Sequence, residues 1–276
     1  MTYKIRKKLD KKFSLCARSV PDIRLEEVIT VAMDTGYHAV GFAFDNIQEL
    51  DKTLALDLRE RINNSPLFGL DIDVIRIKPG PLNTEVFHFL DLAAIIGIQH
   101  VLVVSHDPDF DQTVVKLTEL CDHAIDLGLG IVFEFLMLTE YRTLDDAFAV
   151  VNAVNRSNAK ILIDTLHLVR AGHTPEYISN FDESLFPYIQ LCDGKAKINH
   201  NDYEEVVFDS RENRFSPGDG ELPIHEILRF INTDIPISIE VRSHVLNRLF
   251  PDASERASYL KSACKKFFEW IKGINF

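Results

Sequence analysis

Four oxygen-bearing side chains occupy equivalent places near the ends of the last four apolar runs of the chain. They are Glu134, Asp164, Gln190 and Glu240. An ionised carboxylate among apolar neighbours is unfavourable unless a counter-charge or a metal ion compensates it. One such carboxylate is typical of a structural ion pair, but three of them with an amide in one pattern indicate a shared metal site. An all-oxygen set favours Mn2+ or Mg2+, allows Co2+ and makes Zn2+ a less favoured ion.

The same residues suggest a reaction that removes a proton next to a carbonyl, because a divalent ion favours negative charge on the carbonyl oxygen. Glu134 and Glu240, approaching a bound polyol from two sides, are predicted to remove and return the proton, which is isomerase or epimerase chemistry. His167 follows Asp164 by three residues, and its pKa range suits a catalytic proton transfer. If His167 instead helps to expel a β-hydroxyl after the same abstraction, the enzyme is a dehydratase.

Five further polar residues are predicted to contact the substrate. The alternative for each is an ordinary solvated or structural side chain. They are His106, Glu140, Lys195, Arg214 and Arg242. Each lies at or just after the end of an apolar run, or in the glycine-containing turn that Arg214 precedes. Arg242 stands two residues after Glu240 and so on the same face of the strand, where it either orients Glu240 or binds a substrate oxygen.

These residues need a scaffold that brings the ends of separate strands to one point. Short apolar runs alternate with stretches of helical period along the whole chain, which is typical of βα units. The runs predicted as strands are Phe13–Val20, Ala39–Phe44, Ile72–Ile77, His100–Ser105, Gly130–Leu136, Lys160–Asp164, Tyr188–Cys192 and Ile237–Val241. They predict a single-domain (βα)8 TIM barrel over residues 1–276, with a basic lead-in at 1–12. The alternative, an open doubly wound sheet, usually has a glycine-rich turn after its first strand, and Arg18–Pro21 has no glycine.

Acidic starts and glycine stops mark several connections as helices. Those with the clearest limits are predicted from Pro21–Asp22 to near Gly36, from after Asp111 to Gly128, and around Ser254–Lys272. The polar stretch Gly194–Gly220 is longer than an ordinary connection. It is predicted to be a strand-poor active-site loop.

Composition limits the possible partners. The chain has 276 residues and a formal net charge of -12, so its surface repels nucleic acid and anionic lipid. Its four cysteines are far apart and form no CxxC pair, which is typical of a reduced, cytoplasmic protein. No apolar stretch approaches the roughly 20 residues of a membrane-spanning helix. The predicted partner is therefore a small sugar or hydroxy-keto substrate, with no nucleic acid or membrane partner and a homo-oligomer left open.

The motifs around the strand-end residues resemble those of the xylose-isomerase-like TIM-barrel superfamily, in particular its sugar phosphate isomerase/epimerase branch, over nearly the whole chain. The most specific pieces are Val132–Phe135, Asp164–His167, Gln190–Asp193, Pro217–Gly220 and Ser238–Val241. The resemblance implies a Mn2+, Mg2+ or Co2+ ion on the four ligands and substrate contact by His167 and Glu140. Gln190 departs from the histidine of ketose epimerases and is similar to the glutamine of 3-dehydroshikimate dehydratases, so both reactions stay open. The sequence shows no cluster of arginines that would indicate a phosphorylated substrate.

Two other functions are less consistent with the sequence. A metal-dependent endonuclease of the same superfamily would call for several histidine ligands and a basic face, and neither is evident. A barrel that binds a sugar without catalysis would not need ligands at all four strand ends.

Overall fold

Eight parallel strands follow one another around a closed barrel, in which the last strand pairs with the first. The computed structural model describes residues 11–232 and 234–273. Its strands are β1 (Phe13–Cys16), β2 (Ala39–Ala43), β3 (Phe68–Ile77), β4 (Ile98–Ser105), β5 (Gly130–Glu134), β6 (Ala159–Asp164), β7 (Ile189–Leu191) and β8 (Ile237–Ile239). The predicted TIM barrel is confirmed and the open sheet is excluded. The domain limits 1–276 stay a prediction, and the lead-in 1–12 falls mostly outside the described residues.

Helices follow the strands and pack against one another around the barrel, where the last long helix also contacts the first. They are α1 (Leu25–Asp34), α2 (Lys52–Asn63), α3 (Glu85–Ile96), α4 (Phe110–Asp126), α5 (Leu144–Val154), α6 (Thr165–Arg170), α7 (Tyr203–Arg211), α8 (Ile224–Arg229), α9 (His244–Leu249) and α10 (Ala253–Gly273). Within the described ranges, no helix has both the length and the apolar character needed to cross a bilayer.

Apolar side chains cover both faces of the strands. On β5, Ile131 belongs to the large core that also contains Leu117 and Leu120 of α4, whereas Val132 belongs to a smaller cluster formed largely by strand residues. This double coverage explains why the strands appear in the sequence as nearly continuous apolar runs. A polar residue at the end of such a run is therefore buried away from water.

Two helix starts differ from the prediction because of their capping contacts. The helix α1 begins after Arg24 rather than at Pro21–Asp22, since the Glu27 side chain accepts a hydrogen bond from the Arg24 backbone. The helix α4 begins one residue before Asp111, and Asp109 is its N-cap. Both predicted glycine stops are confirmed, since Gly36 and Gly128 follow these helices with positive φ angles of 70° and 74°.

The first strand is shorter than the predicted Phe13–Val20. It ends at Cys16, and Ala17–Ser19 forms a 3-10 turn. The hydroxyl of Ser19 donates to the carbonyl of Ile239 at 3.0 Å and accepts from the N–H of Val241 at 2.7 Å. The turn therefore links the end of β1 to the end of β8, where Glu240 lies.

The long polar connection Gly194–Gly220 contains no strand, as predicted, but it does contain the helix α7. Asp202 caps this helix by accepting from the N–H groups of Glu204 and Glu205. The sequence analysis did not predict α7, because its polar composition and exposed apolar residues hide its helical period.

Candidate metal centre and active site

The four predicted ligands meet at the carboxyl-terminal end of the barrel. Glu134 and Asp164 end β5 and β6, Gln190 lies in β7, and Glu240 directly follows β8. The strand register pairs Asp164 with Gln190. All four side chains are buried, with exposed fractions of 1% to 7%. Folding therefore brings polar groups from four strands into one desolvated space.

Asp164 also shapes the turn from β6 into α6. Its Oδ1 accepts hydrogen bonds from the N–H groups of Leu166 at 2.7 Å and His167 at 3.2 Å, which caps the short helix. The same turn brings His167 beside Glu134, with 3.9 Å between Nε2 and Oε1. Glu134, Asp164 and His167 each offer one ligand atom, and these atoms lie within 4.8 Å of one another.

Gln190 offers an oxygen to the same end of the barrel. Its Oε1 is buried and has no hydrogen-bond partner within the described part of the chain. A buried carbonyl oxygen is unfavourable unless water or an ion completes its contacts. Together with three carboxylates and the imidazole of His167, this oxygen makes a donor set that fits a divalent ion.

Arg214 places a positive charge between two of the candidate ligands. Its Nη1 lies 2.6 Å from Oδ2 of Asp164 and 3.2 Å from Oε2 of Glu240. The guanidinium is only 3% exposed and also donates from Nε to the carbonyl of Ser210 at 2.8 Å. The two carboxylates are thus already arranged around one cation.

The buried carboxylate of Asp193 holds the loop that carries Arg214. It accepts hydrogen bonds from the backbone N–H groups of Gly194, Gly218, Gly220 and Leu222. Its backbone pairs with Phe215, the residue after Arg214. A Cβ on Gly220 would lie 2.4 Å from Oδ1 of Asp193, so the turn requires glycine there.

Burial and repulsion between acids set the protonation of the site. The pKa of Glu134 is well above its ordinary value, first because of burial and then because of Asp164 and Glu240. Burial also raises the pKa of Glu240, against the opposing effect of Arg214. Burial opposes ionisation of Asp164 too, but the guanidinium of Arg214 and the hydrogen bond from the backbone N–H of His167 outweigh it and lower the pKa of this carboxyl. Burial lowers the pKa of His167 to about 4, so its imidazole is neutral at pH 7.

The predicted substrate contacts fall into two groups. His106, Arg214 and Arg242 line the pocket above the candidate ligands, together with His167. Glu140 and Lys195 are exposed and do not belong to the pocket lining.

The charged residues of this pocket that sequence analysis missed are Arg18, Asp73, Arg76 and Arg211. Arg18 lies in the turn after β1, while Asp73 and Arg76 lie in β3. Nε of Arg18 is 3.2 Å from Oδ2 of Asp73. The signal was present, because charged residues also stand within or just after the first and third apolar runs.

A family model described as "Xylose isomerase-like TIM barrel" matches residues 29–265. The chain belongs to this family. Membership in the xylose isomerase-like family agrees with the closed barrel and with the motif resemblance in the sequence.

Two curated relatives of this xylose isomerase-like chain are named for different reactions. An inosose isomerase of Bacillus subtilis (strain 168) is 26% identical over 154 residues, which cover 51% of this chain and 52% of the relative. An inosose dehydratase of Lacticaseibacillus casei is 26% identical over 141 residues, which cover 49% of this chain and 47% of the relative. The chain therefore spans about half the length of the curated relatives it matches.

Similarity to a solved structure extends over most of the barrel. The crystal structure of the IOLI protein with a zinc atom superimposes with a TM-score of 0.80 and 19% identity, covering 96% of this chain and 100% of that one. At this identity the likeness supports the fold alone. The zinc atom is a property of that protein.

Proposed function

We propose that this chain is a divalent-metal-dependent enzyme that removes a proton next to the carbonyl of a sugar or hydroxy-keto compound, with isomerisation or epimerisation as the leading outcome. The observation that carries the proposal is the convergence of Glu134, Asp164, Gln190 and Glu240 at one buried end of the barrel. An acidic cluster of this kind is unfavourable without a counter-charge.

These four residues would hold the ion, and His167 lies close enough to join them. A bound divalent ion supplies positive charge that favours negative charge on the substrate oxygen. The donors suit Mn2+, Mg2+ or Co2+, and the neutral imidazole of His167 makes Zn2+ a further ion to test.

Glu134 and Glu240 are the proposed proton-transfer groups. They approach the pocket from β5 and β8, so one can remove a proton and the other can return it. A carboxylate placed on each side of the substrate can act as a general base and, once protonated, as a general acid. Arg214, Arg242 and His106 are proposed to bind substrate oxygens from the pocket wall. Glu140 and Lys195 stay predicted substrate contacts, which would be made from the exposed loops that carry them.

A dehydratase is the second candidate, and one observation favours it. His167 is buried and neutral beside Glu134, where it can assist the departure of a β-hydroxyl after the proton has been removed. The glutamine at position 190 and the dehydratase among the relatives agree with this alternative.

Metal content is the test of the site. The purified protein is dialysed and its metal measured by elemental mass spectrometry, alongside Glu134→Gln, Asp164→Asn and the matched control Glu60→Gln on the exposed face of α2. We expect about one equivalent of Mn2+, Co2+, Mg2+ or Zn2+ in the wild type and control, and its loss in both site variants. If the wild type retains no metal even after the ion is resupplied, a barrel that binds a sugar without catalysis becomes the better hypothesis.

Proton abstraction is tested separately with candidate ketoses and hydroxy-keto acids in D2O. Deuterium bound to the carbon that receives the returned proton, detected by NMR, is expected for isomerisation or epimerisation, whereas a dehydratase leaves the deprotonated carbon in a new double bond. A new ultraviolet absorbance from a conjugated product identifies the dehydratase, whereas an isomerase leaves the spectrum almost unchanged. Isomerisation or epimerisation without any deuterium uptake would argue against abstraction by a side chain that exchanges with solvent.

A further inference from the structure

Arginines from separate parts of the chain meet at the mouth of the active-site pocket. Arg18 follows β1, Arg76 lies in β3, Arg211 ends α7 and Arg242 follows β8, and all four line the pocket with Arg214. The side chains of Arg18, Arg76 and Arg242 are half-buried. These residues are far apart in sequence and meet only when the barrel closes, which is why the sequence showed no arginine cluster.

Two members of this cluster already have acidic partners. Nη1 of Arg18 lies 2.6 Å from Oδ1 of Asp45, and its Nε lies 3.2 Å from Oδ2 of Asp73. Arg214 is paired with two of the candidate metal ligands. The charges of Arg18 and Arg214 are therefore compensated within the protein.

Arg76 and Arg242 have no acid at ion-pair distance within the described residues, and Asp73 and Asp45 act on Arg76, and Glu240 on Arg242, only from farther away. Neither forms an ion pair with any residue in the ranges 11–232 and 234–273, and Nη1 of Arg76 donates only to the backbone carbonyl of Asp45, at 3.3 Å. Burial lowers the pKa of Arg76, and the neighbouring guanidinium of Arg18 lowers it further. Half-buried like charges are unfavourable unless an anion joins them.

A generally basic surface does not explain this cluster. The chain carries a formal net charge of -12, so arginines without an ion-pair partner at one pocket mouth are opposite in sign to the molecule as a whole. The arginines of the pocket lining outnumber the lining acids Asp73, Glu134 and Glu240, and a local excess of positive charge concentrates anionic ligands.

We propose that the substrate of this pocket is an anion, a hydroxy-keto compound whose carboxylate or phosphate group binds Arg76 and Arg242. This rests on the proposed function, because the carbonyl end of the same molecule must reach Glu134 and Glu240 deeper in the pocket. Guanidinium groups donate paired hydrogen bonds to either oxyanion. A neutral ketose would leave both charges without a partner.

Calorimetric titration tests the anion site directly. The metal-loaded protein is titrated with inorganic phosphate, with glycolate and with glycerol as a neutral polyol. The variants are Arg76→Gln, Arg242→Gln and the conservative Arg76→Lys, and the matched control is Arg59→Gln, which removes one exposed arginine of α2. Unchanged unfolding curves and metal content establish that each variant is intact.

We expect at least one oxyanion to bind and glycerol to bind far more weakly. Each glutamine variant should weaken oxyanion binding by about 10- to 100-fold, the effect expected for losing a hydrogen bond to a charged group. The lysine variant should recover part of the affinity, and the control should match the wild type.

Tighter binding of phosphate identifies a phosphorylated substrate, and tighter binding of glycolate identifies a carboxylate. Undetectable binding of both oxyanions, or equal affinity in Arg76→Gln and the control, would overturn the proposal.

Turnover separates this proposal from the proposed function. Fructose, fructose 6-phosphate and hydroxypyruvate are compared as neutral, phosphorylated and carboxylated hydroxy-keto compounds. We expect kcat/KM to be at least about tenfold higher for an anionic compound than for fructose, and Arg76→Gln to remove that preference. Equal or better turnover of fructose would reject the anionic substrate while leaving the proposed reaction intact. If no metal is retained, the proposed reaction fails, and the phosphate and glycolate titrations, repeated with the metal-free protein, still decide the anion site.

Discussion

At the residue scale, Arg214 supplies a cation to carboxylates that are also proposed to hold a divalent ion. It contacts Asp164 and Glu240 while almost fully buried. Removing one partner of a buried charge cluster leaves the others uncompensated and costs several kcal/mol. A bound ion would be a second counter-charge for the same acids. Arg214 should therefore matter most for stability when no metal is present.

The substitution Arg214→Met tests this exchange of counter-charges. In the metal-free protein we expect the free energy of unfolding to fall by about 3 kcal/mol or more, because Asp164 and Glu240 lose their cation. With saturating Mn2+ the loss should be smaller. Urea denaturation in EDTA and in Mn2+ measures both values, and Arg211→Met, which removes an exposed arginine nearby, is the control. Equal losses in the two conditions would contradict the idea that metal and arginine compensate the same charges.

At the element scale, the parts of the site that could be predicted are those carried by strand ends. Glu134, Asp164, Gln190 and Glu240 each stand near the end of an apolar run, and closure of a barrel brings those ends together. Their meeting follows from local pattern and fold class alone. The number of strands and the long loop before Gly220 were predictable for the same reason.

Other features depend on contacts that no local pattern contains. The turn after Cys16 exists because Ser19 bonds to β8, more than 200 residues away in the chain. The arginines at the pocket mouth likewise meet only in three dimensions. The partnership of Arg214 with Asp164 depends on how a loop folds back over the barrel, and the sequence indicated only an oxygen-binding arginine there.

The loop that carries Arg214 is held by Asp193, and the substitution Asp193→Asn tests its importance. An amide presents a donor where the carboxylate accepts from several backbone N–H groups, so we expect a loss of about 1 to 3 kcal/mol in unfolding free energy. Hydrogen exchange should become faster over residues 212–222. Turnover should fall while metal content is kept, because the candidate ligands lie on the strands. The control is Asp219→Asn, an exposed acid of the same turn whose side chain, among the residues the structure describes, accepts only from Tyr259. Equal exchange rates in the two variants would show that Asp193 does not hold the loop.

At the scale of the whole molecule, the barrel buries acidic groups inside a chain that is already acidic. Asp71 is 2% exposed and Asp73 is 7% exposed, and burial raises the pKa of both carboxyls. Glu134 and Glu240 follow the same direction. Each of these groups is harder to ionise in the metal-free fold than in water. The stability of the protein should therefore depend on pH in opposite ways with and without metal.

Stabilisation by Mn2+ should be greater at pH 8 than at pH 6. Glu134 and Glu240 have pKa values above their ordinary 4.5, so their contribution to the metal-free fold is complete at low pH and is lost as pH rises through the raised values. Metal binding requires deprotonated carboxylates and releases protons, so it should gain about 1.4 kcal/mol per pH unit for each proton released. Unfolding free energies in EDTA and in Mn2+ at pH 6, 7 and 8 measure the difference. Equal stabilisation at every pH would mean that metal binding releases no protons from these carboxylates, contrary to the raised pKa values that burial gives them.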